Sequence, residues 1–384
     1  MLERKKLALF NLLLIFLLLQ NCREVSHLAN DYPATQIEYS NPKVINLPLD
    51  SFSPPMVPYG QVLRGDTLKY MFYNHFNTSL YTYDFRNSVL IKKIVLDYEK
   101  GEKLPEINAF YYINSDSILL FPQYGDFFFI CNDNGKIYGD RISFVDDDDQ
   151  DKVESHWISS SFPVVKIGSK IYIKNAFGNI AYDTDPKRFL LIEYDLKTGA
   201  SSFFIKHPPS VYDKNFDNTT FRHMVLAQKE PDKSLLYSFY FDPYIYVFDG
   251  DKSGVKSYRC APENFEIPPA LKADITSDDA WIRFQTTFSF STLTYDPFKN
   301  TIIRVGLIPH TYDDIQAGSV DPEMPKKPKI YLFDKHYNLL GEISLNHESF
   351  YYFPSLFATE EGLWIQKVLD DENVMCFELI EYEI

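Results

Sequence analysis

"IYLFDKHYNLLGEISL", residues 330–345, consists of two apolar runs joined by a polar tetrad, and the first run ends on an acidic residue. Alternation of period two marks a strand with one buried face, and Asp, Asn or Gly between two such runs marks a hairpin turn. Related runs recur: "LYTYD" (80–84), "FICND" (129–133), "LIEYD" (191–195), "IYVFD" (245–249) and "LIEYE" (379–383). All but the last lead through a turn into a second strand, as "FRNSVLIKKIVL", "NGKIYGDRISF", "LKTGASSFFIK" and "GDKSGVKSYRC". The acidic residue is expected to accept hydrogen bonds from turn amides, which is a structural task.

Two further strand candidates precede each run, such as "GQVLRGDTLKYMFYN" before the first and "STLTYDPFKNTIIRVGLI" before the fifth. Four antiparallel strands in units of about 40 to 55 residues are the plan of a β-propeller blade. The reading is therefore all-β, a six-bladed β-propeller; counting "TLTYD" (292–296) as another third strand gives the alternative of seven blades. The abundance of aromatics, 28 Tyr and 32 Phe, favours strands, whose pleated surface accepts large rings. The last unit ends at its third strand, Cys376 to Tyr382. "KVINLPLD" (43–50) is expected to supply the fourth, closing the ring without an exposed edge. A short helix is expected over Pro269 to Asp274.

The N-terminus reads as a secretory signal: Arg4, Lys5 and Lys6 precede an apolar stretch from Leu7 to Leu19, too short for the roughly 20 residues that span a bilayer. Leu19-Gln20-Asn21-Cys22 resembles a bacterial lipobox, with Asn21 where a smaller residue is usual. That resemblance implies cleavage before Cys22 and acylation of this cysteine. Residues 1–21 are then the lipoprotein signal, 22–40 a tether and 41–384 the propeller. Arg23, where an inner-membrane retention aspartate would stand, points to the outer membrane, on either its periplasmic or its surface side.

Removing the signal takes the formal charge from −15 to −17, because Arg4, Lys5 and Lys6 outweigh Glu3. Nucleic acid is excluded as a partner, since phosphate contact needs clustered Lys and Arg. Cys131, Cys260 and Cys376 lie in apolar runs with no metal-ligand spacing and read as buried structural cysteines.

With the lipobox, "TYDPFKNTIIRVG" and "KPKIYLFDKHYNLLGEISL" in view, the chain resembles the uncharacterised six-bladed β-propeller lipoproteins of Bacteroidetes-type bacteria, a family of unknown function. The resemblance implies the fold and carries no catalytic assignment.

Ligands of propellers sit in loops at the channel mouth or across one face. His156-Trp157 and Arg222-His223 are placed near the starts of innermost strands, and Arg283 and Tyr351 comparably. Trp157 would stack on a sugar and Arg222 would hold a carboxylate or phosphate. No cofactor is expected. The one place for a metal is the acid run Asp146–Asp149 with Asp151, as oxygen ligands for Ca²⁺, although it lacks the spacing and turn glycine of a calcium loop. No nucleophile elbow, zinc helix or phosphate loop occurs. The function expected is a binding or scaffold module for a protein or glycan, with a carbohydrate-active hydrolase or lyase using acid and base groups at the channel as the alternative.

Overall fold

Each hairpin of the sequence pattern forms the third and outermost strands of a four-stranded antiparallel sheet, and six such sheets follow one another along the chain. The computed structural model describes residues 35–37, 42–98, 104–145, 155–176, 189–208, 211, 223–229, 234–250, 254–268, 277–317, 326–345 and 350–383. The signal, Cys22, most of the tether, the acid run at 146–151, Arg222 and Pro269 to Asp274 lie outside them.

Blade 1 runs β3 (Gly60–Leu63), β4 (Lys69–Asn74), β5 (Ser79–Asp84) and β6 (Val89–Val95) from axis to rim, and blade 2 runs β7 (Ile107–Asn114), β8 (Ser117–Pro122), β9 (Phe127–Cys131) and β10 (Ile137–Ser143). In blade 3 two short strands, β11 (Ser155–Trp157) and β12 (Val165–Ile167), share the inner position against β13 (Lys170–Ala176), followed by β14 (Leu191–Asp195) and β15 (Ser201–Phe204). Blade 4 contains β16 (Met224–Lys229), β17 (Ser234–Phe239), β18 (Tyr244–Phe248) and β19 (Lys256–Arg259). Blade 5 contains β20 (Ser289–Asp296), β21 (Thr301–Ile308), β22 (Lys327–Phe333) and β23 (Leu339–Ser344). "TLTYD" is thus the innermost strand of blade 5, not a third strand, and seven blades are excluded.

Blade 6 closes the ring as expected. Its inner strands β24 (Phe350–Thr359), β25 (Gly362–Val368) and β26 (Val374–Ile380) are completed by β2 (Val44–Pro48), which pairs antiparallel with β26. Ile45 and Leu47 of β2 are buried and join the apolar wedge between blades 6 and 1. A further strand, β1 (Thr35–Gln36), within the stretch read as tether, adds in parallel to the outer edge of blade 5.

The turn carboxylates behave as their pattern suggests. Asp84 accepts from the amide of Asn87, Asp195 from that of Lys197, and Asp334 from those of His336 and Asn338. In blade 2 the acceptor is Asn132, one residue before the expected Asp133. Apolar packing fills the seams between blades. Between blades 6 and 1, for instance, Phe85 meets Trp364 at 5.1 Å and Phe377 at 5.2 Å, edge to face. Two helices are described, α1 (Ser277–Thr286), just beyond the stretch where a helix was expected, and α2 (Tyr312–Gln316).

Candidate functional site: an axial cavity closed at one end

The inner strand of blade 3 is interrupted for a reason visible in its register. Trp157 stands opposite Lys174 and Val165 opposite Tyr172, so residues 158–164 occupy a place where one residue would suffice. They leave the sheet as a strap. Ser160 donates from its amide and its hydroxyl to Pro58 O, at 3.0 and 3.2 Å. Pro58 precedes blade 1, and blades 1 and 3 are not neighbours, so these bonds cross the end of the channel. The strap is also held by blade 2, whose Asn108 donates to Ile158 O, and by blade 4, whose Leu226 amide donates to Ser161 O.

Beyond the strap lies a cavity of about 340 Å³, lined from all six blades. This is at the small end of the roughly 300–1,000 Å³ usual for ligand pockets. Its polar lining includes the phenols of Tyr59, Tyr70 and Tyr111, the amides of Gln61 and Gln228, the hydroxyls of Thr294 and Ser355, and the guanidinium of Arg64. Arg64 is the one charged side chain among the described lining residues, and no carboxylate or imidazole accompanies it. It donates to Ala358 O at 3.0 Å and so bridges blades 1 and 6, with its guanidinium 5.8 Å from the Phe298 ring. Gln61 is spent on structure, because both of its amide atoms bond the backbone of Tyr112.

Tyr70 reaches the channel from the second strand of blade 1. Its hydroxyl lies against Gly60, where a Cβ would collide with it, so glycine on the channel strand admits the phenol. Tyr59 and Tyr70 are only 4% and 3% exposed, and among the described residues neither hydroxyl has a hydrogen-bond partner. Burial pushes both phenols up, and nearby phenols add to the effect, Tyr111 and Tyr70 for Tyr59 and Tyr352 for Tyr70. Both stay protonated at physiological pH.

None of the described residues singled out from sequence lines this cavity. His156 is buried between blades 2 and 3 with Nδ1 and Nε2 each 2.8 Å from a carbonyl, of Gly125 and Pro122 respectively, and burial lowers its pKa although both bonds oppose this. Tyr351 is buried and donates to Glu378 at 2.8 Å. Arg283 sits in the last turn of α1, its pKa lowered by partial burial. Trp157 and His223 do come into one neighbourhood. Lys174 lies 5.9 Å from the Trp157 ring and 4.2 Å from that of Phe162, while His223 packs on Phe162 and Tyr240. Trp157 is 53% exposed and His223 is held neutral, its pKa lowered to about 3 by burial and by Lys174.

The cavity residues escape sequence reading because they look like any other strand residues. A faint signal exists in "YGQVLRG" (59–65), where glycine at the head of a strand marks a close approach. Buried cations were equally invisible. Arg304, fully buried between blades 4 and 5, donates to the carbonyls of Asp242 and Cys260 and lies 3.3 Å from the Phe290 ring. Lys326 donates to Phe284 O, Thr287 O and Ser289 Oγ, tying the end of α1 to β20, and burial brings its ammonium down to about 7. Both are structural staples. Cys131, Cys260 and Cys376 are free and buried, and no metal-ligating cluster occurs among the described residues.

The fold is that of a six-bladed β-propeller with a cavity on its axis. The chain belongs to the family described as a domain of unknown function, DUF4221, whose model matches residues 36–344. A solved member of that family from Bacteroides vulgatus is 18% identical, with a TM-score of 0.75, covering 91% of this chain and 99% of its own. Virginiamycin B lyase from Staphylococcus aureus is 10% identical at a TM-score of 0.44, covering 88% of this chain and all of its own. No curated protein matches the sequence.

Proposed function

We propose that this chain is a cell-envelope propeller, held to the outer membrane by lipid on Cys22, that binds a glycan or protein ligand in its axial cavity. The observation that carries the reading is the cavity itself: a pocket built by six blades, lined by hydroxyl, amide and phenol groups with one guanidinium. Such a lining recognises polar ligands by hydrogen bonding. The acid and base pair that glycoside hydrolysis requires is missing from its described lining, which favours binding over turnover.

The test is an array of envelope and host glycans, together with envelope protein extracts, probed with the purified full chain and with Thr294→Trp, whose indole would fill the cavity. Retention that disappears in the variant is expected. Equal retention by both proteins moves the site elsewhere, and cleaved glycans detected by mass spectrometry would replace the binding reading with the hydrolase.

A further inference from the structure

The strap makes the channel a blind pocket, and the chemistry at its depth is selective. A threaded polymer needs two openings, whereas this cavity has one end crossed by residues 158–164 tied to blades 1, 2 and 4. Near that end are the two phenols with unused hydroxyls. A peptide terminus would bring an ammonium or carboxylate into the pocket, and an ionised group is costly to bury without a facing opposite charge. The described lining offers no carboxylate for an amine, while its single cation, Arg64, keeps its charge and further donors when bonded to Ala358 O, so an anionic terminus is the competing ligand that acidic glycans must test. A neutral ligand with several hydroxyls meets no such penalty. Each of its hydroxyls donates and accepts, as do the phenols of Tyr59 and Tyr70.

We infer that the cavity binds, end-on, the terminal unit of a neutral saccharide, with the hydroxyls of Tyr59 and Tyr70 as its specificity-determining contacts. This rests on the proposed binding role of the axial cavity and narrows it to a ligand class and an orientation. The strap acts as the stop that admits one sugar unit and turns away mid-chain segments.

The experiment uses the full chain with neutral linear oligosaccharides of glucose, galactose, mannose and N-acetylglucosamine, measured by titration calorimetry. At least one should bind, its own monosaccharide should compete, and Tyr59→Phe and Tyr70→Phe should each weaken it about tenfold, the order expected for a lost hydrogen bond of about 1.4 kcal/mol. Both variants keep the ring and its packing, so an unchanged melting temperature separates lost recognition from lost fold. The inference is overturned if none of these saccharides binds, if the phenylalanine variants bind equally well, or if the monosaccharide does not compete. Should it fail while acidic glycans or proteins are still retained and lost in Thr294→Trp, the binding role survives without it; if nothing is retained, both fall.

Discussion

At the scale of single residues, the polar side chains inside this protein serve two distinct ends. Arg304 illustrates the first: its guanidinium satisfies backbone carbonyls that would otherwise be stranded in the seam between blades 4 and 5. Arg304→Met keeps volume but orphans those acceptors. With about 1–3 kcal/mol for each buried group left unsatisfied, it should destabilise the fold by about 3 kcal/mol in urea unfolding. His223 illustrates a pH liability. Its folded pKa of about 3 lies below the ordinary value of 6.5, so the unfolded chain binds the proton more readily between these limits. Its contribution is therefore fully present above about pH 6.5 and is lost as pH falls towards 3. Urea midpoints should drop from pH 7 to pH 5, and His223→Leu should flatten part of that fall; an unchanged slope would show that the imidazole does not titrate as described. Neither role was legible in the sequence, because burial and partner depend on which blade lies across the seam.

At the scale of elements, legibility was high wherever the pattern was local. The hairpins could be read because alternation and turn chemistry lie within a dozen residues, and "IYLFDKHYNLLGEISL" contains its own strand, turn and strand. Ring closure was also readable, because a last blade short of one strand and an orphan strand at the other end of the chain complement each other. The strap was not. "HWISSSFPVV" (156–165) carries three serines and a proline, which signal a break but not its extent, and only the register against β13 reveals seven residues where one would fit. The described residues expected at the site lie away from the cavity for the same reason: proximity to one end of a strand does not say whether a side chain lines the channel, as Arg64 does, or packs in a seam, as His156 does. The closing strand yields a sharp test. Leu47 is fully buried in the wedge between blades 6 and 1, so Leu47→Asp places an unpaired carboxylate in an apolar seam and unpins β2 from β26. It should cost more than about 3 kcal/mol and expose an unpaired edge, seen as aggregation in size-exclusion chromatography. A soluble variant with unchanged urea midpoint would show that blade 6 stands without its fourth strand.

At the scale of the whole molecule, membrane attachment must rest on lipid alone if the envelope reading is right. A chain that carries about −17 after signal removal is repelled by anionic headgroups and has no basic cluster to act as a second signal. Among the described residues, no helix is long and apolar enough to cross a membrane. One acyl chain would bind only marginally, whereas the several chains of an acylated cysteine, at about 0.8 kcal/mol per buried methylene, hold firmly. Two signatures follow. Wild-type protein should pellet with outer membrane and resist high-salt washing, since no charge contact contributes, and its intact mass should include acyl chains. Cys22→Ala should remain unprocessed or leave the membrane fraction, because the acyl chains that would hold the mature chain are then missing. If instead the variant stays bound in low salt and is released in high salt, attachment is electrostatic and runs through a protein partner. The propeller would then be docked through one of its faces, and the residues around the axial cavity would be the first to examine for that contact.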